Sequence, residues 1–329
     1  MLISLHFFVH NCFVAFGIFI NITSIYIILW KTPSALKEYS VLLLNTAITE
    51  LFSITNHFLV DGRLFYSSSI AICISNGPCR LVSDTFCAML TAVMNVVMVH
   101  CTGLVALSFW YRARILSGKP LVGKFKLQFI STSLFLPHIP YILVYFFTMT
   151  PREILMEKLM PFHNITDHGL YGFGDATELL PASTLMYLFA CGSFVSVYIV
   201  WARIRLMRIL RERTLNMSVR TRSTHESLTR ILTIHAVMPI FVCSGMGSLV
   251  TAQLHGYHSV DIEGSILDIA VMPSLVNPVL TLYFVRPYRV FIASVICGVN
   301  RSISLVHSGS NYNDKPAPKL SLSQKMQPL

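Results

Sequence analysis

The chain has 329 residues, 54% of them hydrophobic and only 12% charged, which is about half the charged fraction of an average soluble protein. Its formal net charge is +10, but the basic residues are confined to a few segments between long apolar runs. That distribution excludes a nucleic-acid-binding protein and favours a protein embedded in a membrane.

Seven long apolar segments follow one another along the chain, and each is long enough to cross a bilayer core of about 30 Å as an α-helix. The first segment lacks the basic start and the small-residue cleavage site of a signal peptide, so we interpret it as a retained span. The predicted spans cover residues 5–30, 40–60, 81–110, 125–149, 181–202, 231–253 and 265–285. The sequence therefore predicts an all-α bundle of seven transmembrane helices.

Two further segments follow the seventh span. A short apolar stretch at 290–299 is predicted to lie along the membrane surface and to complete a seven-transmembrane domain of residues 1–299. The tail at 300–329 is rich in Ser, Pro and Lys, and we predict that it is disordered.

The third span is predicted to lie inside the bundle. From Thr85 to Tyr111 it has 27 consecutive residues without an Asp, Glu, Lys or Arg, yet polar side chains such as Asn95 and His100 interrupt it. Polar groups at membrane depth normally face protein or water rather than lipid. The span is predicted to end at Trp110-Tyr111-Arg112, where aromatic residues meet a basic one as they do at a membrane surface.

Prolines and turn residues interrupt the rest of the pattern. Pro137 and Pro140 are predicted to bend the fourth span, because proline removes a backbone hydrogen bond. Residues 61–80 are predicted to form a loop around an Asn-Gly-Pro-Cys turn signal, and residues 150–180 a longer, net acidic loop. The mixture of basic and apolar residues at 203–211 predicts a helix that continues out of the membrane.

The eight cysteines show no CxxC or zinc-finger spacing. Four of them lie within apolar runs, where a thiol packs as a small hydrophobe: Cys12, Cys101, Cys191 and Cys243. Only Cys73, Cys79 and Cys87 are placed to meet in an oxidising compartment. The sequence leaves open whether any two of them form a disulfide.

The basic residues predict the orientation of the chain. All of the 25 Lys and Arg residues follow the first, third, fifth or seventh span, except for Arg63, Arg80, Arg152 and Lys158. Because cytoplasmic segments are enriched in Lys and Arg, the N-terminus is predicted to be extracellular and the C-terminus cytoplasmic. Of four Asn-X-Ser/Thr sequons, this topology leaves only Asn164 outside, and we predict a glycan there.

Two functions suggested by motifs are disfavoured. Gly172-Phe173-Gly174-Asp175 has the form of the GxGD motif of intramembrane aspartyl proteases, but its Asp lies in the acidic loop rather than at membrane depth beside a second carboxyl. A retinal protein needs a lysine inside the seventh span for a Schiff base, and that span has none. No catalytic residue, cofactor or metal site is predicted, and the chain is not interpreted as an enzyme.

Seven polar or ionisable residues are predicted at membrane depth: Glu50, Asn95, His100, His138, His235, Asp268 and Asn277. An ionised carboxylate at the centre of a span costs about 2.5–3.5 kcal/mol, so Glu50 is predicted to be partnered, protonated or hydrated within the bundle. We interpret Glu50 and Asn277 as parts of a functional hydrogen-bond network. Each lone histidine is interpreted as bonded to a neighbouring carbonyl.

Several short motifs follow one another in order: Leu42-Leu43-Leu44-Asn45-Thr46-Ala47 with Glu50, Gly77-Pro78-Cys79, Phe109-Trp110-Tyr111-Arg112, Asn277-Pro278 and Tyr288-Arg289. In this set the chain resembles the seven-transmembrane chemoreceptors of nematodes, most nearly serpentine receptor class delta, from the first span to about Arg289. The resemblance implies a G-protein-coupled receptor for external chemicals, located in the ciliary plasma membrane of sensory neurons.

The sequence departs from rhodopsin-like receptors at four places. No acidic residue directly precedes Arg112, so an ionic lock with an adjacent carboxylate is not expected. Pro239 lacks the preceding tryptophan, and Tyr283 lies two positions later than the tyrosine of NPxxY. No cysteine lies between Met149 and Pro181, so the usual bridge from the third span to the second extracellular loop cannot form.

The leading interpretation is a receptor that lies in a lipid bilayer, binds a small external chemical in its outer helical cavity and activates a heterotrimeric G protein at its inner face. The alternative is a ligand-gated cation channel of the seven-span olfactory type, whose N-terminus lies inside, and the basic residues disfavour it. A transporter is expected to show two related halves, and the sequence shows no such repeat.

Three groups of residues are predicted to carry this function. The ligand contacts lie in the outer halves of the helices: Asp84, Phe86, Met89, Gln253, Asp268 and Met272. The intramembrane switch network comprises Glu50, Asn95, Pro239, Asn277 and Pro278. The G-protein contact comprises Arg112, Arg114, Arg203, Arg205 and Arg208. Arg112 is singled out within this last group because it lies at the inner end of the central span.

Overall fold

The structure is a computed structural model that describes residues 2–67, 70–159, 169–172, 177–213, 219–257 and 259–296. Eleven α-helices follow one another in this part of the chain: α1 (Leu2–Lys31), α2 (Ser40–Val60), α3 (Asp84–Leu116), α4 (Lys124–Ser133), α5 (Ile139–Phe147), α6 (Arg152–Leu159), α7 (Leu179–Arg213), α8 (Val219–Leu254), α9 (Val260–Val271), α10 (Pro273–Phe284) and α11 (Arg286–Ile296).

Residues Met1–Arg289 form one compact unit, and a second unit begins at Val290, within α11. The predicted glycosylation site Asn164, the Phe173–Asp175 part of the GxGD motif and the tail at 300–329 lie outside the described residues. The fold and the sites below are those of the first unit.

Helices occupy all seven predicted spans. Among the described residues, five segments are long and apolar enough to cross a membrane: Phe7–Lys31, Asp84–Leu116, Lys124–Phe147, Leu179–Glu212 and Asp261–Phe284. α2 fills the second predicted span but is not among these five segments, and it carries Glu50, Asn56 and His57. α8 fills the sixth and contains a shorter apolar stretch, Thr229–Gly245.

Two of the spans are broken at prolines. The fourth consists of α4, a 3₁₀ turn at Leu136–His138 and α5, so the α-helix is interrupted at Pro137, where a bend was predicted. In the seventh span α9 ends at Val271 and α10 begins at Pro273, whereas Pro278 lies inside α10 without ending it. Proline removes one backbone N–H donor, and the helix axis can change direction at such points.

α3 is the central helix of the bundle. It packs against α2, α5, α7 and α8, in agreement with the prediction that it lies inside. The helix α3 continues past Trp110-Tyr111-Arg112, where the span was predicted to end, to Leu116, and Arg112 is buried. An aromatic and basic cluster marks a surface only where nothing packs over it, and here Tyr39 does.

A three-stranded antiparallel sheet joins two of the predicted loops, and the sequence analysis missed it. The strands β1 (Gly62–Ser67) and β2 (Ile70–Ser75) form a hairpin between α2 and α3, and β3 (Gly169–Gly172) pairs with β2. The sheet has two apolar faces, because successive side chains of a strand point to opposite sides. Cys73 and Tyr171 face the bundle, whereas Ile72 and Leu170 pack against Leu155 of α6.

The hairpin is anchored to its neighbouring helices. Gly77 follows β2, and a Cβ atom there would lie 2.3 Å from the carbonyl oxygen of Leu59, so only glycine fits. A disulfide joins Cys79 to Cys87, in the first turn of α3. Cys73 is not part of a disulfide and is buried. The pairing that the sequence left open is therefore Cys79 with Cys87.

The two ends of the bundle differ in character. We refer to the end that carries the three strands as the sheet end. The opposite end, at which α1, α3 and α7 terminate with Lys31, Arg114 and Arg211 among their last residues, is referred to as the basic end.

Candidate functional site

Three helices bring a cluster of ionisable side chains together at the sheet end. Nδ1 of His10, on α1, lies 3.1 Å from Oδ1 of Asp268, on α9, and Nε2 of His57, on α2, lies 2.8 Å from the same oxygen. The two imidazole rings meet edge to face, with their centroids 4.7 Å apart. Both histidines are buried, whereas Asp268 keeps 25% of its side chain exposed. We refer to these three residues as the outer cluster.

Asp61 lies beside the outer cluster. Its Oδ1 is 3.6 Å from Nε2 of His10, the ring nitrogen that does not face Asp268. Asp61 caps α2 in the left-handed conformation (φ 37°, ψ 59°), which Asp tolerates better than most residues. Its N–H donates to the carbonyl of His57 at 2.8 Å, and its own carbonyl accepts the N–H of Asn76 at 3.0 Å. The end of α2 therefore holds the carboxylate next to His10.

Asp84, the first of the predicted ligand contacts, has a different set of partners. Its carboxylate pairs with Nη1 of Arg152 at 2.7 Å and accepts the backbone N–H of Leu170 at 3.2 Å. These bonds tie the first residue of α3 to α6 and to β3. In this conformation Asp84 holds the sheet in place.

The remaining predicted ligand contacts are dispersed. Phe86 packs against the core between the sheet and the bundle. Met89 and Met272 are exposed on the helix surfaces. Gln253 lies in α8, and its side chain is outside the part of the chain that the structure describes. Of the five whose side chains the structure describes, only Asp268 belongs to the outer cluster.

The sheet inserts a tyrosine between the helices near the outer cluster. Tyr171 of β3 is buried, its hydroxyl lies 2.6 Å from Oγ1 of Thr91 on α3, and it packs in the same core as Tyr141 of α5. Burial raises the pKa of the Tyr171 hydroxyl well above its usual value, and it raises the pKa of the Cys73 thiol to about 12. Both groups are therefore neutral, which suits the apolar core in which they lie. We refer to Cys73 and Tyr171, the side chains of the sheet that pack in this core, as the plug.

A buried charge pair holds β1 to α9. Nη1 of Arg63 lies 3.8 Å from Oε2 of Glu263. A Cβ atom at Gly62 would lie 2.7 Å from the side chain of Leu267, so the strand backbone packs directly on the helix. Burial lowers the pKa of Arg63, and the nearby carboxylates oppose this shift. The sheet is thus fixed to the helix that provides the carboxylate of the outer cluster.

A second polar site lies at mid-depth between α2 and α10. Nδ2 of Asn277 donates a hydrogen bond to Oε1 of Glu50 at 2.6 Å, so two predicted members of the switch network are in contact. Glu50 and Pro278 line a cavity of about 20 Å³ whose polar lining includes Ser24 and His235. That volume accommodates about one water molecule. The role of this site as a switch stays a prediction.

Two other predicted members of the network lie elsewhere, and Asn21, which was not predicted as a member, also bonds across two spans. Asn95 donates to the hydroxyl of Tyr141 at 3.3 Å, apart from Glu50, and the side chain of Pro239 is outside the described residues. Asn21 is buried and donates to the carbonyl of Ser274 at 2.8 Å, which ties α1 to α10. Asn21 begins one of the four sequons, Asn21-Ile22-Thr23, and was not singled out as a buried residue, although an Asn inside an apolar span is itself a signal of a buried partner.

Arg112 is covered in this structure. Only 5% of it is exposed, and its guanidinium carbon lies 4.7 Å from the centroid of the Tyr39 ring. The hydroxyl of the adjacent Tyr111 donates to Glu38 at 3.1 Å. Both contacts fasten the basic end of α3 to the segment between α1 and α2. Tyr39 also lines the cavity beside Glu50, so Arg112 and the mid-depth site share a neighbour.

The other four arginines of the predicted G-protein contact do not all lie together. Arg114 and Arg205 line an open cleft of about 120 Å³ between α3 and α7, together with Trp110. Arg203, outside this lining, donates to Oγ1 of Thr233 on α8 at 3.3 Å. Arg208 is exposed on α7. The structure thus brings Arg114 and Arg205 together and separates Arg112 from them.

A buried tyrosine follows the seventh span, but it is not the one nearest the NPxxY position. Tyr288 is fully buried, and its hydroxyl lies 2.7 Å from Oγ1 of Thr32 at the end of α1. Tyr283 is 59% exposed, and Arg289 lies over its ring at 5.7 Å. A shift of two residues turns a side chain by about 200° around a helix, which explains why Tyr283 faces outward.

The histidines show where sequence reasoning failed. Nδ1 of His138 bonds to the hydroxyl of Tyr187 at 2.8 Å, so the carbonyl partner predicted for it is wrong. His10 and His57 were not singled out at all. Their shared partner Asp268 lies 258 and 211 residues away in the sequence, respectively, and no local pattern indicates such a pairing.

The chain is similar to known proteins over most of its length. A family model described as Serpentine type 7TM GPCR chemoreceptor Srd matches residues 7–294. Serpentine receptor class delta-19 of Caenorhabditis elegans is 26% identical over 313 residues, covering 92% of this chain and 91% of that protein. Serpentine receptor class delta-18 of the same organism is 28% identical over 324 residues, covering 91% and 94%, respectively.

A solved structure shares the fold. The crystal structure of squid rhodopsin matches with a TM-score of 0.63 at 10% sequence identity, and the match covers 88% of this chain and 79% of that one. At this identity the likeness concerns the seven-helix architecture alone.

Proposed function

The chain belongs to the Srd family of serpentine seven-transmembrane chemoreceptors, and from that premise we propose that it detects a small external chemical at the sheet end and activates a heterotrimeric G protein at the basic end. Membership of this family makes it a multi-pass membrane protein. The ciliary membrane of sensory neurons is the location that we propose for it.

The observation that carries the proposal is a double link between α2 and the seventh span. His57 and Glu50 lie seven residues apart on α2, and they bond to Asp268 and Asn277, respectively. Seven residues make about two helical turns, or roughly 10 Å, so both bonds lie along one seam between the two spans. A ligand that displaces Asp268 breaks the outer of these two bonds. Because well-packed helices shift as units, the second and seventh spans then move relative to each other, and the bond between Glu50 and Asn277 is affected as well.

The link continues toward the basic end through Tyr39. Tyr39 lines the cavity beside Glu50, and its ring covers the guanidinium of Arg112. We take this arrangement as the resting state, in which Arg112 is withheld from the inner surface. A rearrangement around Glu50 releases Arg112, whose guanidinium then donates to backbone carbonyls of the G protein. Arg114 and Arg205, at the neighbouring cleft, add positive charge to the same contact.

The proposed orientation places the sheet end outside the cell. The distribution of basic residues supports it, and the disulfide between Cys79 and Cys87 suits an oxidising exterior. We expect a glycosidase-sensitive mobility shift in the wild-type protein that disappears in Asn164→Gln. Asn216 begins another of the four sequons, in the basic segment after the fifth span. A shift that depends on Asn216 instead would place the basic end outside and overturn the proposal.

Coupling is tested with a panel of chemicals applied to cells that express the receptor, recording second messenger and membrane current side by side. We expect Arg112→Ala to reach the surface and bind ligand but to lose most of its second-messenger response. The matched control Arg222→Ala, in the first turn of α8, should respond almost as the wild type does.

Two outcomes would contradict this scheme. Equal responses of the two arginine variants at matched surface expression would remove Arg112 from coupling. Sustained ligand-gated current in cells that lack G proteins would replace the receptor with the ligand-gated channel.

A further inference from the structure

We propose that the outer cluster binds a divalent transition-metal ion of the zinc class, with Nδ1 of His10, Nε2 of His57 and a carboxylate oxygen of Asp268 as its ligands. The three donor atoms all lie within 4.8 Å of one another. They come from three different helices, α1, α2 and α9, so the folded bundle assembles the site. This goes beyond the proposed signalling function and beyond the sequence analysis, which predicted no metal site.

The donor spacing is close to that of a four-coordinate ion. With metal–ligand bonds of about 2.0–2.1 Å, two donors of a tetrahedral site lie about 3.4 Å apart. The two contacts to Asp268 measure 3.1 Å from His10 and 2.8 Å from His57. Metal binding requires these two contacts to widen by about 0.3–0.6 Å and the two imidazole donors, which lie within 4.8 Å of each other, to reach the same spacing, and side-chain rotations provide both adjustments. Three protein ligands leave one coordination position open for water or for a chemical stimulus.

The carboxylate of Asp61 lies behind one of the proposed ligands, His10. A histidine that ligates a metal usually donates its other ring N–H to a carboxylate or carbonyl, which orients the ring and strengthens the ligand. Nε2 of His10 lies 3.6 Å from Oδ1 of Asp61, on the side of the ring away from Asp268. Asp61 is held there by the cap of α2. A supporting carboxylate is therefore already in place behind one ligand.

The ligand types restrict the metal. Two imidazoles and one carboxylate suit Zn²⁺, and also Cu²⁺ and Ni²⁺. Mg²⁺ and Ca²⁺ prefer six or more oxygen ligands, which this cluster does not offer. Burial of both histidines shields the site from competing water, and the exposed quarter of the Asp268 side chain leaves a route of access from the surface.

The first experiment measures metal binding directly. The full chain, purified in lipid nanodiscs, is titrated with Zn²⁺ while its unfolding temperature is followed, because an ion that binds only the folded state stabilises it. Co²⁺ serves as a second probe, since its visible absorption reports four-coordinate geometry. We expect saturable stabilisation by Zn²⁺ and a four-coordinate Co²⁺ spectrum. The control His255→Ala, which removes an exposed imidazole beyond α8, should behave as the wild type does.

The variants separate ligation from mere packing. We expect His57→Ala to weaken Zn²⁺ binding at least about 100-fold, and Asp61→Asn, which keeps the left-handed cap, to weaken it about 10-fold. Asp268→Asn keeps the shape and a hydrogen-bond acceptor but is a poor ligand, so binding should be lost. Asp268→His supplies a third imidazole, as in three-histidine zinc sites, and should restore binding to within about 10-fold of the wild type.

The proposal is overturned if the wild type shows neither stabilisation by Zn²⁺ nor the Co²⁺ spectrum, or if Asp268→Asn binds Zn²⁺ as tightly as the wild type does. These readouts need only folded protein and no signalling. Their failure would therefore leave the proposed coupling to a G protein untouched.

Discussion

The two ends of the bundle hold their charges in different ways. At the sheet end, charged side chains meet opposite charges or directional hydrogen bonds, as when Asp84 pairs with Arg152 at 2.7 Å. At the basic end three arginines lie over aromatic rings: Arg112 over Tyr39, Arg114 over Trp110 and Arg205 over Trp201, at 4.7, 5.7 and 5.4 Å, respectively. Of these three, Arg114 also donates from Nε to the carbonyl of Pro120 at 3.1 Å.

This difference predicts how readily each end exchanges the partners of its charged side chains. A carboxylate takes up the guanidinium N–H donors along fixed directions, whereas a ring face attracts the charge and leaves the donors around the edge available. The sheet end is therefore a fixed structure in which a ligand or ion replaces specific bonds. The basic end can exchange a ring face for an external partner, and each desolvated contact that is lost costs about 1–2 kcal/mol. The following changes test this contrast, in order of decreasing expected effect.

Asp268→Ala should be the most damaging change at the sheet end. It removes the acceptor shared by His10 and His57, and a buried donor left without an acceptor costs about 1–3 kcal/mol. We expect thermal unfolding of the purified protein to show a loss of about 3 kcal/mol. Met272→Ala, on an exposed side chain four residues away, should change stability by less than about 0.5 kcal/mol. Equal stability of the two variants would show that the outer cluster does not hold the helices together.

The disulfide should rank next. Cys79 and Cys87 are eight residues apart, and closing a loop of that size stabilises a fold by about 2.5 kcal/mol in the chain-entropy picture. The double substitution Cys79→Ser and Cys87→Ser should lower stability by about this amount. A reducing agent should destabilise the wild type and the control Cys12→Ser alike but leave the double variant unaffected. A reducing agent without effect on the wild type would show that the hairpin needs no covalent anchor.

At the basic end, Tyr39→Leu tests the contact between ring and guanidinium. A desolvated cation–π contact is worth about 1–2 kcal/mol, so losing it should populate the state with Arg112 released and raise basal second-messenger output several-fold. Tyr283→Leu is the matched control, because Tyr283 also lies beneath an arginine but is exposed. Unchanged basal output in Tyr39→Leu would mean that Tyr39 does not restrain Arg112.

The smallest effect concerns the plug, and it is a change in the labelling rate of Cys73 rather than in stability. Burial raises the pKa of Cys73 to about 12, so its reactive thiolate is scarce at pH 8 and increases only as the pH rises toward that value. We expect a maleimide to spare Cys73 at pH 8. Tyr171→Ala, which opens the plug, should accelerate labelling of Cys73 at least about 10-fold. Rapid labelling of the wild type at Cys73 would show that the sheet end opens readily.

Hydropathy was sufficient to predict seven helices and their approximate positions, because a bilayer demands about 20 apolar residues per span with every backbone group bonded internally. The same reasoning marked Glu50 and Asn277, since a polar side chain inside an apolar run needs a partner. It did not identify the hairpin. A short apolar run such as Ile70–Ile74 is equally compatible with several structures, and β3, which pairs with β2, lies about 100 residues later in the chain.

The outer cluster and the burial of Arg112 were decided by tertiary structure alone. His10 and His57 look like ordinary interruptions of their spans until the seventh span brings Asp268 between them from 258 and 211 residues away. Arg112 looks like the end of a helix until Tyr39 folds over it. The local sequence indicates that a polar side chain in a span requires a hydrogen-bonding or charged partner. The packing of the helices decides which distant residue becomes that partner.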